Sequence, residues 1–112
     1  MREVIKIDYA KLTNDLIQAK NAAIDAAVGD DGGSANLDTM TISLPRAREK
    51  KVLDAIKDAG LYCQGKSEWI GPRYFIQPPA GGQGNSRVRA VDAMAKVMKV
   101  AGYDVLVYHR TD

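Results

Sequence analysis

The chain has 112 residues, 46% of them hydrophobic and 27% charged, which is the balance of a folded globular domain and excludes a disordered chain. With 16 Lys and Arg against 14 Asp and Glu the net charge is only +2, so long DNA or RNA is not the expected partner. A single cysteine, Cys63, excludes an internal disulfide framework, and no apolar run approaches the ~20 residues needed to span a membrane.

From the amino terminus, residues 2–7 read as a short strand or an extended lead-in without the apolar core of a signal peptide, which points to the cytoplasm. Asp8 is a suitable N-cap for a long helix through about Val28. Tyr9, Leu12, Leu16, Ala19, Ala23, Ala26 and Ala27 recur along it at mixed three- and four-residue spacing. Its narrow, alanine-rich face lets another element approach closely and marks it as a candidate subunit contact. Gly29, Gly32 and Gly33 end it in a loop expected to be mobile or to face a ligand.

Thr39–Leu44 alternates Met40, Ile42 and Leu44 with hydroxyl residues, as in a half-buried strand. Pro45 opens a second helix that runs from Arg46 to a left-handed cap at Gly60, with Val52, Leu53, Ile56 and Ala59 on one side. Leu61–Gln64 and Ser67–Ile70 read as an interrupted strand, and Gly71-Pro72 turns it into the strand carrying Phe75 as an antiparallel hairpin. A third helix starts near Ser86 with Val88, Val91, Ala95 and Met98 inward, and Tyr103–Tyr108 is a last strand. The order predicts a single small α+β domain over residues 1–112: a mainly antiparallel sheet of about four strands packed with three helices. The third helix could instead be a crossover that leaves the strands of Phe75 and Tyr108 parallel.

The stretch Arg73–Arg87 is the most informative. It joins a strand to a helix through Gly81, Gly82 and Gly84, with Asn85 suited to the N-cap and Arg87 and Arg89 in the first turn. Amides at a helix start carry partial positive charge and receive anions, and Phe75 on the preceding strand offers an aromatic face nearby. An ordinary structural turn explains the same residues. Catalytic groups are thin: His109 is the single histidine and lies close to the end of the sequence. Cys63 plus His109 cannot supply most of a zinc shell, and neither an EF-hand nor a Walker pattern occurs. The residues favour a binder that needs no cofactor or metal over an enzyme.

Asp31-Gly-Gly-Ser-Ala-Asn-Leu-Asp38, Trp69-Ile-Gly-Pro-Arg-Tyr-Phe75, Gly82-Gln-Gly-Asn-Ser-Arg87 and Ala101-Gly-Tyr-Asp104 together resemble the first-described phage Thoeris anti-defence family, over most of the chain from about residue 30. The resemblance implies a sponge that holds cyclic ADP-ribose isomers made by TIR-domain defence proteins without cleaving them. Some members also take cyclic di- or trinucleotides at a separate site in a hexamer built of dimers. By motif, Phe75 would stack on the adenine and Asn85 would hydrogen-bond the ligand, with Arg87 and Arg73 near the pyrophosphate. Gln83, Trp69, Asn36 and Asp38 would complete the site, and Arg110 and Thr111 would belong to the second one. Leu37 stands where an aromatic is expected. The alternatives from other classes are an acyl-CoA-dependent acetyltransferase-like domain, from a loose likeness of Gly81–Asn85 to a pyrophosphate loop, and a protein-binding inhibitor.

Overall fold

The computed structural model describes residues 7–29, 38–68, 71–79 and 85–109. These form helices α1 (Tyr9–Ala27), α2 (Glu49–Asp58) and α3 (Asn85–Val100) and strands β1 (Thr39–Ser43), β2 (Lys66–Ser67), β3 (Arg73–Ile76) and β4 (Asp104–Tyr108). The architecture is the α+β arrangement expected from the sequence. The strands make one antiparallel sheet in the order β2-β3-β1-β4. Because β3 and β4 are both antiparallel to β1, they run in the same direction on either side of it. α3 is thus a crossover that passes over β1, and the two readings of this helix hold together.

The helix ends follow from local chemistry. The Asp8 carboxylate accepts from the Lys11 amide at 3.0 Å, and this cap starts α1 at the expected residue. α2 begins three residues later than Pro45 suggested, because Arg46 adopts φ 71 and Ala47 N–H closes a turn on Leu44 O at 3.1 Å. Gly60 and Gly102, at φ 81 and 102, end α2 and α3 alike. In each case the glycine N–H reaches back three residues and the next N–H reaches back five, at 2.9–3.1 Å, which satisfies the last carbonyls of the helix.

α1 and α3 pack against each other and cover one face of the sheet together with α2. Leu12, Leu16, Ala19 and Ala23 of α1 meet Ala90, Val91, Met94, Ala95 and Met98 of α3, over Met40, Ile42, Tyr74 and Ile76 from the strands, all 0–3% exposed. The alanine stripe of α1 is therefore spent inside its own subunit. Of the side chains expected inward from α3, Val88 is only half-buried, and Ala90 takes the core position. β2 is shorter than the interrupted strand read from the sequence. Upstream of it Tyr62 makes a lone bridge to Gln77.

Candidate functional site

Alternation along the strands sends every second side chain to the face that the helices leave uncovered. Opposed residues of an antiparallel pair share a face, so the register Thr39↔Tyr108, Thr41↔Leu106 and Thr41↔Phe75 groups Thr39, Thr41, Phe75, Leu106 and Tyr108, with Arg73 and Asp104 farther along. Phe75 is half-buried there. Its ring meets that of Tyr108 edge-on, with centroids 5.7 Å apart and planes at 71°, bridging the strands that flank β1.

Beneath the rings, Thr41 is fully buried and donates to Leu106 O at 2.7 Å while its hydroxyl accepts from Arg73 Nε at 2.7 Å. Arg73 Nη2 also reaches Thr41 O at 3.4 Å, Asp104 O at 3.1 Å and the Asp104 carboxylate at 3.4 Å. Its side chain is only 11% exposed, so most of this guanidinium is engaged with the protein.

At the end of the sheet where β1 starts and β3 and β4 finish, a polar cluster gathers. Arg87, in the first turn of α3, donates from Nε to Asp38 O at 2.9 Å and from Nη2 to the Gln77 side-chain oxygen at 3.0 Å. A guanidinium has five N–H donors, so three of those on Arg87 have no partner among the described residues. Burial draws its pKa below the usual guanidinium value, against the charge of Asp38, and it remains a cation at neutral pH. The Asp38 side chain is 1% exposed and lies 2.8 Å from His109 Nδ1, whose own ring is 71% exposed.

The two arginines of the first turn of α3 have different tasks. Arg89 donates from Nε to Ala26 O at 2.9 Å and from Nη2 to Ala27 O at 3.4 Å, placing its charge on the negative end of α1. Arg87 is left to the cluster. Asn85 is the first residue of α3 and is exposed beside it.

Of the residues singled out in the sequence, Asp38, Asn85 and Arg87 come together at this end of the sheet, and Phe75 lies on the adjoining open face. Arg73 stands at the far side of Phe75. Asn36, Trp69, Gln83, Arg110 and Thr111 lie outside the described residues. Tyr108, Gln77, His109 and Thr41 were not singled out as site residues from sequence. The hydroxyl alternation of β1 was the one signal that its second face is not core.

Cys63 is half-buried, its thiol raised in pKa mainly by that burial, with Sγ 3.5 Å from Gly65 O. No group of three or more His, Cys, Asp or Glu among the described residues could hold a metal, and no described helix is long and apolar enough to cross a membrane. A shallow groove of about 270 Å³ lies between α1 and α2, lined by Tyr9, Thr13, Lys51, Asp54 and Asp58. Lys51 Nζ stands 5.7 Å over the Tyr9 ring there, and none of the residues singled out in the sequence as ligand contacts lines the groove. No protein-family model, curated protein or solved structure matches the chain.

Proposed function

We propose that this protein is a sponge for a cyclised, phosphate-bearing nucleotide messenger of the cyclic ADP-ribose class, which it holds without cleaving, as in anti-defence against TIR-domain signalling. The observation that carries the reading is the placement of the Phe75 ring near the Arg87 donors that have no partner among the described residues. Phe75 and Gln77 lie on one side of β3, about 7 Å apart along the strand, and Gln77 holds Arg87. A ligand of nucleotide size spans that distance. Its base would stack on Phe75 beside Tyr108, and its phosphates would take Arg87 and the start of α3 with Asn85.

In this reading Asp38 supports Arg87 through its carbonyl oxygen, and Arg73 adds positive charge from beneath the open face. Trp69, Gln83 and Asn36 stay assigned to the same ligand, and Arg110 and Thr111 to a second site for cyclic di- or trinucleotides. A 12.2 kDa chain encloses such a ligand more readily when a second subunit closes over it, so a homo-oligomer belongs to the proposal.

Titration calorimetry with cyclic ADP-ribose isomers tests it. Wild-type protein should bind, Phe75→Ala and Asn85→Ala should bind more weakly, and intact ligand should be recovered after heat denaturation. Recovery of cleaved product would make the protein an enzyme. Binding of acetyl-CoA in place of the cyclic nucleotides would favour the acyl-transfer alternative.

A further inference from the structure

The two edges of the sheet are unlike. β2 is two residues long and carries Lys66, whereas β4 runs five residues, Asp104–Tyr108, with no lysine and no proline. An edge strand presents unpaired N–H and C=O groups that template a further strand, and monomeric proteins ordinarily blunt such edges with brevity, charge or proline. β4 has one charge, at its first residue. Its apolar side chains are incompletely covered on both faces: Leu106 is 49% exposed on the open side, and Val105 and Val107 are only half-buried on the helix side.

We propose that the outer edge of β4, which no other described strand pairs, joins the same edge of a second copy of this chain, antiparallel about a two-fold axis through Leu106, so that two four-stranded sheets become one of eight strands. The strand is its own complement. With Leu106 opposite the partner's Leu106, Val105 falls opposite the partner's Val107 and Asp104 opposite the partner's Tyr108. Apolar side chains then cover one another on both faces. The Tyr108 phenol faces the Asp104 carboxylate, which is 68% exposed and has one oxygen held by Arg73. No like charges are opposed. Sliding the register by two residues one way would set Asp104 against Leu106, a carboxylate on an apolar side chain, and the other way Leu106 against Tyr108; either slide shortens the paired segment from five residues to three. Pairing also brings the two open faces side by side, with Phe75 and Tyr108 of each subunit near the seam.

This contact deepens the homo-oligomer in the proposed function by naming its surface, but it does not depend on the ligand. Each can fail while the other stands.

The test is the molar mass of ligand-free protein by light scattering, together with cysteine crosslinking in a Cys63→Ser background. Wild type should be dimeric, and Leu106→Lys, which opposes two cations at the axis, should be monomeric at the same concentration with an unchanged circular dichroism spectrum. Leu106→Cys should oxidise to a covalent dimer, because residue 106 faces itself at strand-pair distance, whereas Val105→Cys should not, since it faces residue 107. A monomeric wild type would overturn the proposal, as would a dimer that survives Leu106→Lys. A chain that is monomeric when whole and dimeric only after removal of residues 1–6 would show that its own amino-terminal segment occupies the edge, and would overturn it too.

Discussion

The two faces of the sheet are built from the same strands and share no chemistry. On the helix side, Met40, Ile42, Tyr74 and Ile76 are 0–1% exposed and belong to the hydrophobic core. On the other side, one residue along each strand, stand Thr39, Thr41, Arg73, Phe75 and Tyr108, a set of hydroxyls, a cation and two rings tied by hydrogen bonds and edge contacts. A face built only to be wetted has no need of a half-buried aromatic pair. A face built only to pack would not spend an arginine and a buried threonine on each other. Under the proposed function the contrast places stability on one side and recognition on the other, and substitutions on the two sides should then separate these properties.

The largest effect belongs to the covered face. Ile42→Ala removes a fully buried side chain from the middle of β1 and should cost about 2–5 kcal/mol, read as a lower denaturation midpoint with an unchanged slope. The folded variant should keep its ligand affinity. Phe75→Ala reverses the pattern. It leaves the core untouched, and loss of base stacking, about 1–3 kcal/mol, should weaken binding of a cyclic ADP-ribose isomer about 5- to 150-fold, while the melting midpoint moves little. A variant that loses stability and binding in proportion would end the division of labour between the faces.

Thr41 tests the border between them, since it is fully buried and yet belongs to the open face. Thr41→Val keeps the shape but withdraws the donor to Leu106 O and the acceptor of Arg73 Nε, leaving a guanidinium N–H short of a partner. The expected cost is about 1–3 kcal/mol in chemical denaturation. A neutral outcome would mean that water replaces the hydroxyl and that Arg73 is not held by it.

How much of this was legible in the sequence depends on how far apart the interacting residues lie. Asp8 as a cap and Gly60 as a left-handed stop are local signals, and both were read correctly; the alternation of Met40 and Ile42 was read as a half-buried strand, but Thr39 and Thr41 on the second face of β1 are buried too, under side chains from the neighbouring strands. The start of α2 was not, because Pro45 suits a first helical turn as well as the turn that Arg46 at φ 71 makes here. The partners of Phe75 and Arg89 were out of reach for a different reason. Phe75 meets Tyr108 only because β1 lies between β3 and β4, and strand order is not written in any one segment. Arg89 lies more than 60 residues from the carbonyls it caps, so an arginine that looked like part of an anion-binding turn neutralises the end of α1 instead. Asp38 was read as a ligand contact, and its near-complete burial against His109 was equally invisible without the sheet that brings their segments together.

The smallest expected effect lies away from both faces, where α1 passes the turn after α3. Tyr103 donates its phenolic O–H to Asp15 Oδ2 at 2.8 Å, and Lys11 donates to the same oxygen at 2.7 Å. Burial raises the Asp15 pKa, but the two hydrogen bonds outweigh it, and the carboxyl sits below its ordinary value. Burial and the same hydrogen bond push the Tyr103 phenol above its ordinary value. A carboxyl depressed in the fold contributes stability that is complete above the unfolded value near 4 and is lost as pH falls through the lower folded one. A phenol raised in the fold contributes stability that is complete below the unfolded value near 10 and is lost as pH climbs toward the higher folded one. Tyr103→Phe should therefore cost about 0.5–1.5 kcal/mol on a plateau between about pH 5 and 9, with the gap to wild type narrowing on both sides. Denaturation midpoints of the pair across pH 2–11 measure it. A gap that stays constant into acid would show that the contribution of the phenol does not depend on ionisation of Asp15, and that Lys11 alone accounts for the lowered carboxyl.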